Sequence, residues 1–242
     1  VSGRLASFDT DGFTVQSSSG AFNAENEPFV GWQWKANAGT TTAFTESGNN
    51  PGGTRQTNTV AGFSIISYTG TGAPGNIAHG LPSAPEMIIF KNRGTTNVWA
   101  TWHVSLGDDY KLELNGTGAK DSDGSFMNST LPDATNIRVG DSNNPNTNAD
   151  TGTYICYAWS PIQGYSKFGS YVGNGSTDGT FVYTGFKPAF VMTKNTSATD
   201  SWVIMDEKRS PSNVANKYLL PNTSGAEGTN FDMFDFVSNG FK

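Results

Sequence analysis

Two internal matches at different spacings constrain this chain more than any other feature. Tyr68, Gly70 and Gly72 recur 103 positions later as Tyr171, Gly173 and Gly175. At the same spacing Pro85, Met87, Lys91, Asn92 and Trp99 meet Pro188, Phe190, Lys194, Asn195 and Trp202. A second match runs at 125 positions, where Asn23, Ala24, Phe29 and Trp34 meet Asn148, Ala149, Tyr154 and Trp159. A third, at 228, joins Thr10-Asp11-Gly12-Phe13 to Ser238-Asn239-Gly240-Phe241. Such a chain is built from one supersecondary unit that buries its apolar face against a neighbour. The order of the pieces predicts a closing part of a unit at 1–39, a linker at 40–60, a complete unit at 61–161 and the first part of a second unit at 162–242. That second unit is then completed by the N-terminal segment or by a neighbouring chain.

The unit itself reads as β. Helical periodicity is almost absent, and the apolar runs are short, β-branched and aromatic. They are punctuated by Asn115-Gly116, Asn174-Gly175, Asp178-Gly179 and Asn239-Gly240, which supply the positive φ of tight hairpins. Strands are expected at 12–16, 28–35, 62–69, 86–92, 98–103, 110–114, 137–140 and 153–159. The second unit adds 167–172, 180–183, 189–193, 201–205, 217–220 and 232–236. Met87-Ile88-Ile89-Phe90 and Phe190-Val191-Met192 suit strands buried on both faces. The fold class is all-β: tandem β-sandwich, jelly-roll-like units.

Charge and motif spacing narrow the chemistry. A net charge of -6 with 15% charged residues and no basic run argues against a nucleic-acid footprint. No apolar stretch approaches the roughly 18 to 20 residues of a membrane span, so no membrane insertion is expected. The single Cys156 is flanked by Tyr154, Ile155, Tyr157 and Trp159 and reads as a buried strand thiol. The two histidines, His79 and His103, carry neither a nucleophile motif nor a metal spacing. Asp108, Asp109, Glu113, Asp206 and Glu207 are available as paired carboxylates, but their separations, which decide glycosidic chemistry, are not legible in sequence. No catalytic residue is therefore assigned, and the chain is read as a non-enzyme. No cofactor is expected. Calcium is the one candidate metal, at the Asp-x-Asp-Gly runs Asp9, Asp11 and Asp121, Asp123. Both runs lack the twelfth-position carboxylate of an EF-hand and read as hairpin turns.

Aromatic side chains are the remaining candidates for function. Trp99 and Trp202 occupy the same place in both units, so each reads as a cap on its unit's core. Trp32, Trp102 and Tyr165 are less regular between units and are the candidate ligand-facing aromatics.

The phrases FVGWQWKANAG (29–39), AGFSIISYTGTG (61–72), YAWSPIQGYSKFGSYVGNGS (157–176), FVYTGFKPAFVM (181–192) and KYLLPNTSGAEGT (217–229) resemble repeat modules in virion appendage proteins of marine tailed phages. The resemblance covers nearly the whole chain and carries over no catalytic residues. It implies a β-rich extracellular module of a tail fibre or other virion appendage. Its expected partners are a host surface glycan or receptor and other virion proteins, in a homo-oligomer. The rival readings are a purely structural virion spacer or decoration protein, a glycan-degrading tailspike-like enzyme, and a bacterial surface adhesin.

Overall fold

The computed structural model describes residues 5–16, 22–37, 39–141, 144–229 and 231–242. Residues 1–4, 17–21 and 38 of the front segment lie outside the described residues. In chain order the strands are β1 (Leu5–Phe8), β2 (Phe13–Val15), β3 (Thr42–Phe44), β4 (Gly53–Asn58), β5 (Phe63–Thr69) and β6 (Gly75–Ala78). β7 (Met87–Asn92), β8 (Ala100–His103), β9 (Tyr110–Glu113), β10 (Asp121–Ser122), β11 (Asn136–Val139) and β12 (Thr153–Trp159) follow. The last five are β13 (Val182–Tyr183), β14 (Phe190–Thr193), β15 (Val203–Asp206), β16 (Phe236–Val237) and β17 (Gly240–Phe241). The fold is all-β, and no helix among the described residues is long and apolar enough to cross a membrane.

Eight strands form one antiparallel sheet in the order β10-β9-β8-β7-β12-β5-β4-β3. β12 is its hub, pairing with β5 on one side and β7 on the other. The reason lies in its sequence, TYICYAW, where every second side chain falls on the same face. Cys156 pairs with Ile66 and Phe90, and all three are fully buried. The inner face they form packs on Ile77 of β6, on Ile137 and Val139 of β11, and on Phe126 and Met127 from the intervening loop. β6 and β11 pair with each other as a small second layer, so the core is filled between two sheets.

Polar groups that enter this core are partnered, as burial demands. The Asn148 side chain donates to the Gly140 carbonyl at 2.8 Å and to the Ala73 carbonyl at 2.6 Å, and it accepts from the Thr71 N–H at 2.9 Å. Gly70 lies so close that a Cβ there would run into the Ala149 carbonyl. His79 is buried, with Nδ1 accepting from the Leu81 N–H at 2.9 Å and Nε2 beside the Asp133 carbonyl at 3.1 Å.

The repeat is visible in the backbone ladder. β7 pairs with β8 as Met87↔His103, Ile88↔Trp102, Ile89↔Thr101 and Phe90↔Ala100. β14 pairs with β15 as Phe190↔Asp206, Val191↔Met205, Met192↔Ile204 and Thr193↔Val203, the same register at every rung. The loops match as well. Asn92 Oδ1 accepts from the Gly94 N–H, and Asn195 Oδ1 accepts from the Ser197 N–H. Lys91 donates to the Thr95 carbonyl, and Lys194 to the Ala198 carbonyl. The Trp99 N–H donates to Asn115 Oδ1 at 2.8 Å, and the Trp202 N–H to Asn222 Oδ1 at 2.9 Å.

Three expectations from sequence are corrected here. Residues 40–60, read as a linker, supply β3 and β4 of the large sheet. These are polar strands, β3 at the sheet edge and β4 between it and β5. Their order comes from backbone pairing and from bonds such as Arg55 to the Ala78 carbonyl, so no apolar alternation marks them. The runs 28–35 and 167–172, expected as strands, join no ladder among the described residues. Their aromatics are held by side-chain contacts alone: Trp34 lies edge-on to both Trp159 and Phe190, and Phe168 lies edge-on to His103. Tyr68 and Tyr154 stack at 5.0 Å inside the first unit, while their counterparts Tyr171 and Phe29 are 47% and 51% exposed.

The second unit has its own small core of Val191, Met205, Ala215, Phe234, Phe236 and Phe241. A third cluster joins the units, with Trp202 and Met192 meeting Leu106, Leu112, Tyr110 and Leu114. The Trp202 indole N–H donates to the Glu113 carbonyl at 2.9 Å. Two backbone bonds flank it, Lys120 N–H to the Thr196 carbonyl and Asp200 N–H to the Thr117 carbonyl, each 2.9 Å.

Candidate functional site

The outer face of the large sheet is set by the same alternation that fills the core. One rung places Ile65, Tyr157 and Ile89 side by side, and the next places Phe63, Trp159 and Met87. A solvated face of an antiparallel sheet carries polar residues at such positions. This one carries aromatic and aliphatic side chains. They line a groove of about 280 Å³ bounded by Trp34, Phe63, Ile65, Ile89, Trp99, Tyr157 and Trp159.

The rings form a continuous row. Trp99 stacks on Tyr157 with centroids 6.4 Å apart and planes at 16°. Tyr157 and Trp159 are 6.4 Å apart at 27°, and Trp159 and Phe63 are 5.0 Å apart at 30°. Trp34 closes one end edge-on at 6.0 Å. Burial raises the Tyr157 phenol above its ordinary range, with the neighbouring Cys156 adding to the rise and Arg93 opposing it. Among the described residues no carboxylate or histidine lines the groove. Its surface therefore suits shape-matched packing of a flat apolar face.

The structure scatters the aromatics singled out from sequence. Trp102 is 2% exposed in the first core, its indole N–H donating to the Gly107 carbonyl at 2.8 Å, so its reading as a ligand-facing residue is corrected. It sits one rung position from the outward face, and strand parity sends it inward. Tyr165 is 57% exposed on the turn closed by Ile162 and Ser166, apart from the groove. Trp32 is half-buried against the second unit. Its indole N–H donates to Asp206 Oδ2 at 3.3 Å, and the Arg209 guanidinium lies 5.6 Å from its ring. Trp99 and Trp202, read as core caps, both sit outside their cores: Trp99 in the groove, Trp202 between the units. Of the aromatics weighed from sequence, only Trp99 lines the groove. The signal that finds the rest is the run Ile155, Tyr157, Trp159, whose parity opposite to Tyr154, Cys156 and Ala158 leaves the outward positions apolar.

The candidate metal ligands are engaged by protein groups. Lys111, itself buried, points its ammonium at Asp121 Oδ2 at 2.5 Å and at Asp123 Oδ2 at 3.6 Å. A cation of the chain thus neutralises these two carboxylates. The Asp9 carboxylate accepts from Thr14 and Ser7 at 2.7 Å each, and these bonds hold its pKa below the ordinary value. Asp11 is exposed in the same turn. Among the described residues no group of three His, Cys, Asp or Glu side chains is placed to hold a metal ion. Asp206 and Glu207, weighed as catalytic carboxylates, are tied to Arg209 at 2.6 Å and Lys187 at 3.4 Å.

No curated protein and no solved structure matches the chain. A family model covers it from end to end, residues 1–242, and the chain belongs to the family described as Domain of unknown function (DUF7483).

Proposed function

We propose that this chain is a structural and adhesive module of a virion appendage such as a phage tail fibre, contributing to attachment at the host surface. The observation that carries the reading is the packing of the second hairpin on β9 of the first unit through Trp202. The same hairpin is laid down twice, and the two units are joined by a face that differs from either core. Repeats joined this way elongate a scaffold rather than enclose a reaction centre. The resemblance of the repeat phrases to virion appendage modules supplies the biological setting. A virion surface is the site of action, and other virion proteins are the neighbours.

The test is binding of the fluorescently labelled chain to intact marine bacterial cells, with their surface polysaccharide as competitor. Immunogold microscopy of particles from an infected culture encoding the chain runs beside it. Saturable, competed binding with gold on the appendages is the expected result. Gold without cell binding leaves a spacer or decoration protein. Neither signal overturns the proposal.

A second reading rests on the ring row of the groove. Near-parallel aromatic faces stack on the apolar faces of pyranose rings, so the adhesive ligand is then a glycan. Loss of binding in Tyr157→Ala and Trp159→Ala, with retention in Tyr165→Ala, separates it from attachment elsewhere on the molecule.

A further inference from the structure

The interface between the two units has two halves, and the chain carries a second, unused copy of each. One half is the hairpin face with Met192 and Trp202. The other is the β9 segment with Tyr110, Leu112 and Leu114, whose Glu113 carbonyl accepts the Trp202 indole N–H. The repeat places the equivalent of the first half at Ile89 and Trp99, in the outer-face groove. The equivalent of the second half is the segment 217–223, where Lys217, Leu219 and Pro221 stand for Tyr110, Leu112 and Leu114. There Leu219 bridges Ile204 as Leu112 pairs with Thr101. The Leu220 carbonyl accepts from the Thr223 N–H at 3.0 Å, as the Glu113 carbonyl accepts from the Gly116 N–H at 3.0 Å.

Burial shows which halves are used. Trp202 is 4% exposed and Leu112 2%, whereas Trp99 and Leu219 are only partly buried. We infer that a second copy of the chain docks head-to-tail, its segment 217–223 covering the groove at Trp99 and extending the interface already made between the units. Leu219 then takes the place Leu112 holds against Trp202, and the Leu220 carbonyl takes the Trp99 indole N–H. The contact is heterologous, joining different patches of two identical chains, so it generates a ring or an open filament according to whether the rotation closes. The inference rests on the reading of the chain as an assembling structural module and names its partner.

Sedimentation velocity over a wide concentration range tests it. The wild-type chain is expected to grow beyond a dimer with concentration. Trp99→Ala, which spoils the groove, and Leu219→Glu, which spoils the segment, are each expected to weaken association at least about thirtyfold, the loss for a buried hot-spot anchor. The decisive sample is their mixture. Each variant retains the half the other lacks, so together they form a one-to-one dimer that cannot grow. Circular dichroism and thermal midpoints verify that both variants are folded. Should either be unfolded, Trp99→Leu and Leu219→Ser replace them in the same mixing experiment. A wild-type chain that stays monomeric, variants that assemble like wild type, or a mixture that stays monomeric would each overturn the inference. A monomer that binds polysaccharide through Trp99 overturns it in favour of the glycan reading, and leaves the immunogold result untouched.

Discussion

In β7–β8 the tryptophan before the second strand lines an open groove, while in β14–β15 its counterpart is sealed between two units. The neighbouring strands differ in the same sense. β7 is paired on both sides, by β8 and β12, whereas among the described residues β14 has a ladder partner only in β15. Gly70 is pressed against the Ala149 carbonyl, whereas Gly173 has nothing within 4 Å. The two hairpins share their register and loop bonds, so the differences come from what packs around them. Local sequence specifies the hairpin, and neighbours specify how much of its stability is realised.

Mutations at paired positions sharpen this contrast. The largest effect is expected at Trp102, where truncation to Ala costs about 4 kcal/mol in denaturant unfolding of the first unit. Met205→Ala, at the matching rung of the smaller second core, is expected to cost about 3 kcal/mol. A reversed order would break the claim that the first unit is the better-packed setting. Next comes the tryptophan pair: Trp202→Ala costs about 3 kcal/mol, and Trp99→Ala less than about 1 kcal/mol in the monomer. Equal costs would show that the groove is sealed in solution. Trp32→Ala removes the bond to Asp206 and the ring beside Arg209, and is expected to cost about 1 kcal/mol. Hydrogen exchange should then speed up in β15 more than in β8. Equal acceleration would mean that the front segment supports both units alike.

Acid separates the units by the smallest margin. Burial lowers the His79 pKa below 6.5, with the Asp133 carbonyl bond opposing the shift, so the folded first unit holds this ring neutral. The unfolded chain binds the proton first, and stability present above pH 6.5 is lost as pH falls below it. The second unit has Val182 at the matching position and no such term. Its window lies lower. Burial raises the Asp206 pKa, but the Arg209 bonds outweigh it and leave the carboxyl below 3.8. That contribution is present above pH 3.8 and is lost as pH falls through the lower folded value. His103, at the end of β8, is also held below 6.5 by burial. A His79→Gln chain should therefore lose part of the upper acid transition, a His79→Gln/His103→Gln chain all of it, and both should keep the lower one. Retention of the upper transition in the double variant would assign it to another group.

The legible part of this protein was what strand parity and repetition encode. The all-β class, the doubly buried β7, the buried Cys156 and the matching hairpins all follow from residue order. Backbone-driven features were not legible: β4, with the sequence GTRQTN, is ordered by its ladder to β5 and shows no apolar pattern. The groove was hidden for another reason. Trp99 repeats as Trp202, and a shared position says the residue matters without saying which face it serves. Only the pairing of Tyr157 with Ile65 and Ile89 shows that the surrounding outward positions are apolar. Trp102 misled because irregularity between units was read as exposure, whereas Met205 fills the same inward position with a different shape.

One buried atom gives the molecule a clock. The Cys156 thiol is the only one in the chain, fully enclosed at the centre of β12, and burial pushes its pKa far up. Neither the thiolate nor access exists in the folded state, so an alkylating reagent can mark this sulfur only when the β5–β12–β7 ladder opens. The rate of that single covalent event therefore times the opening of the first unit, without any introduced label.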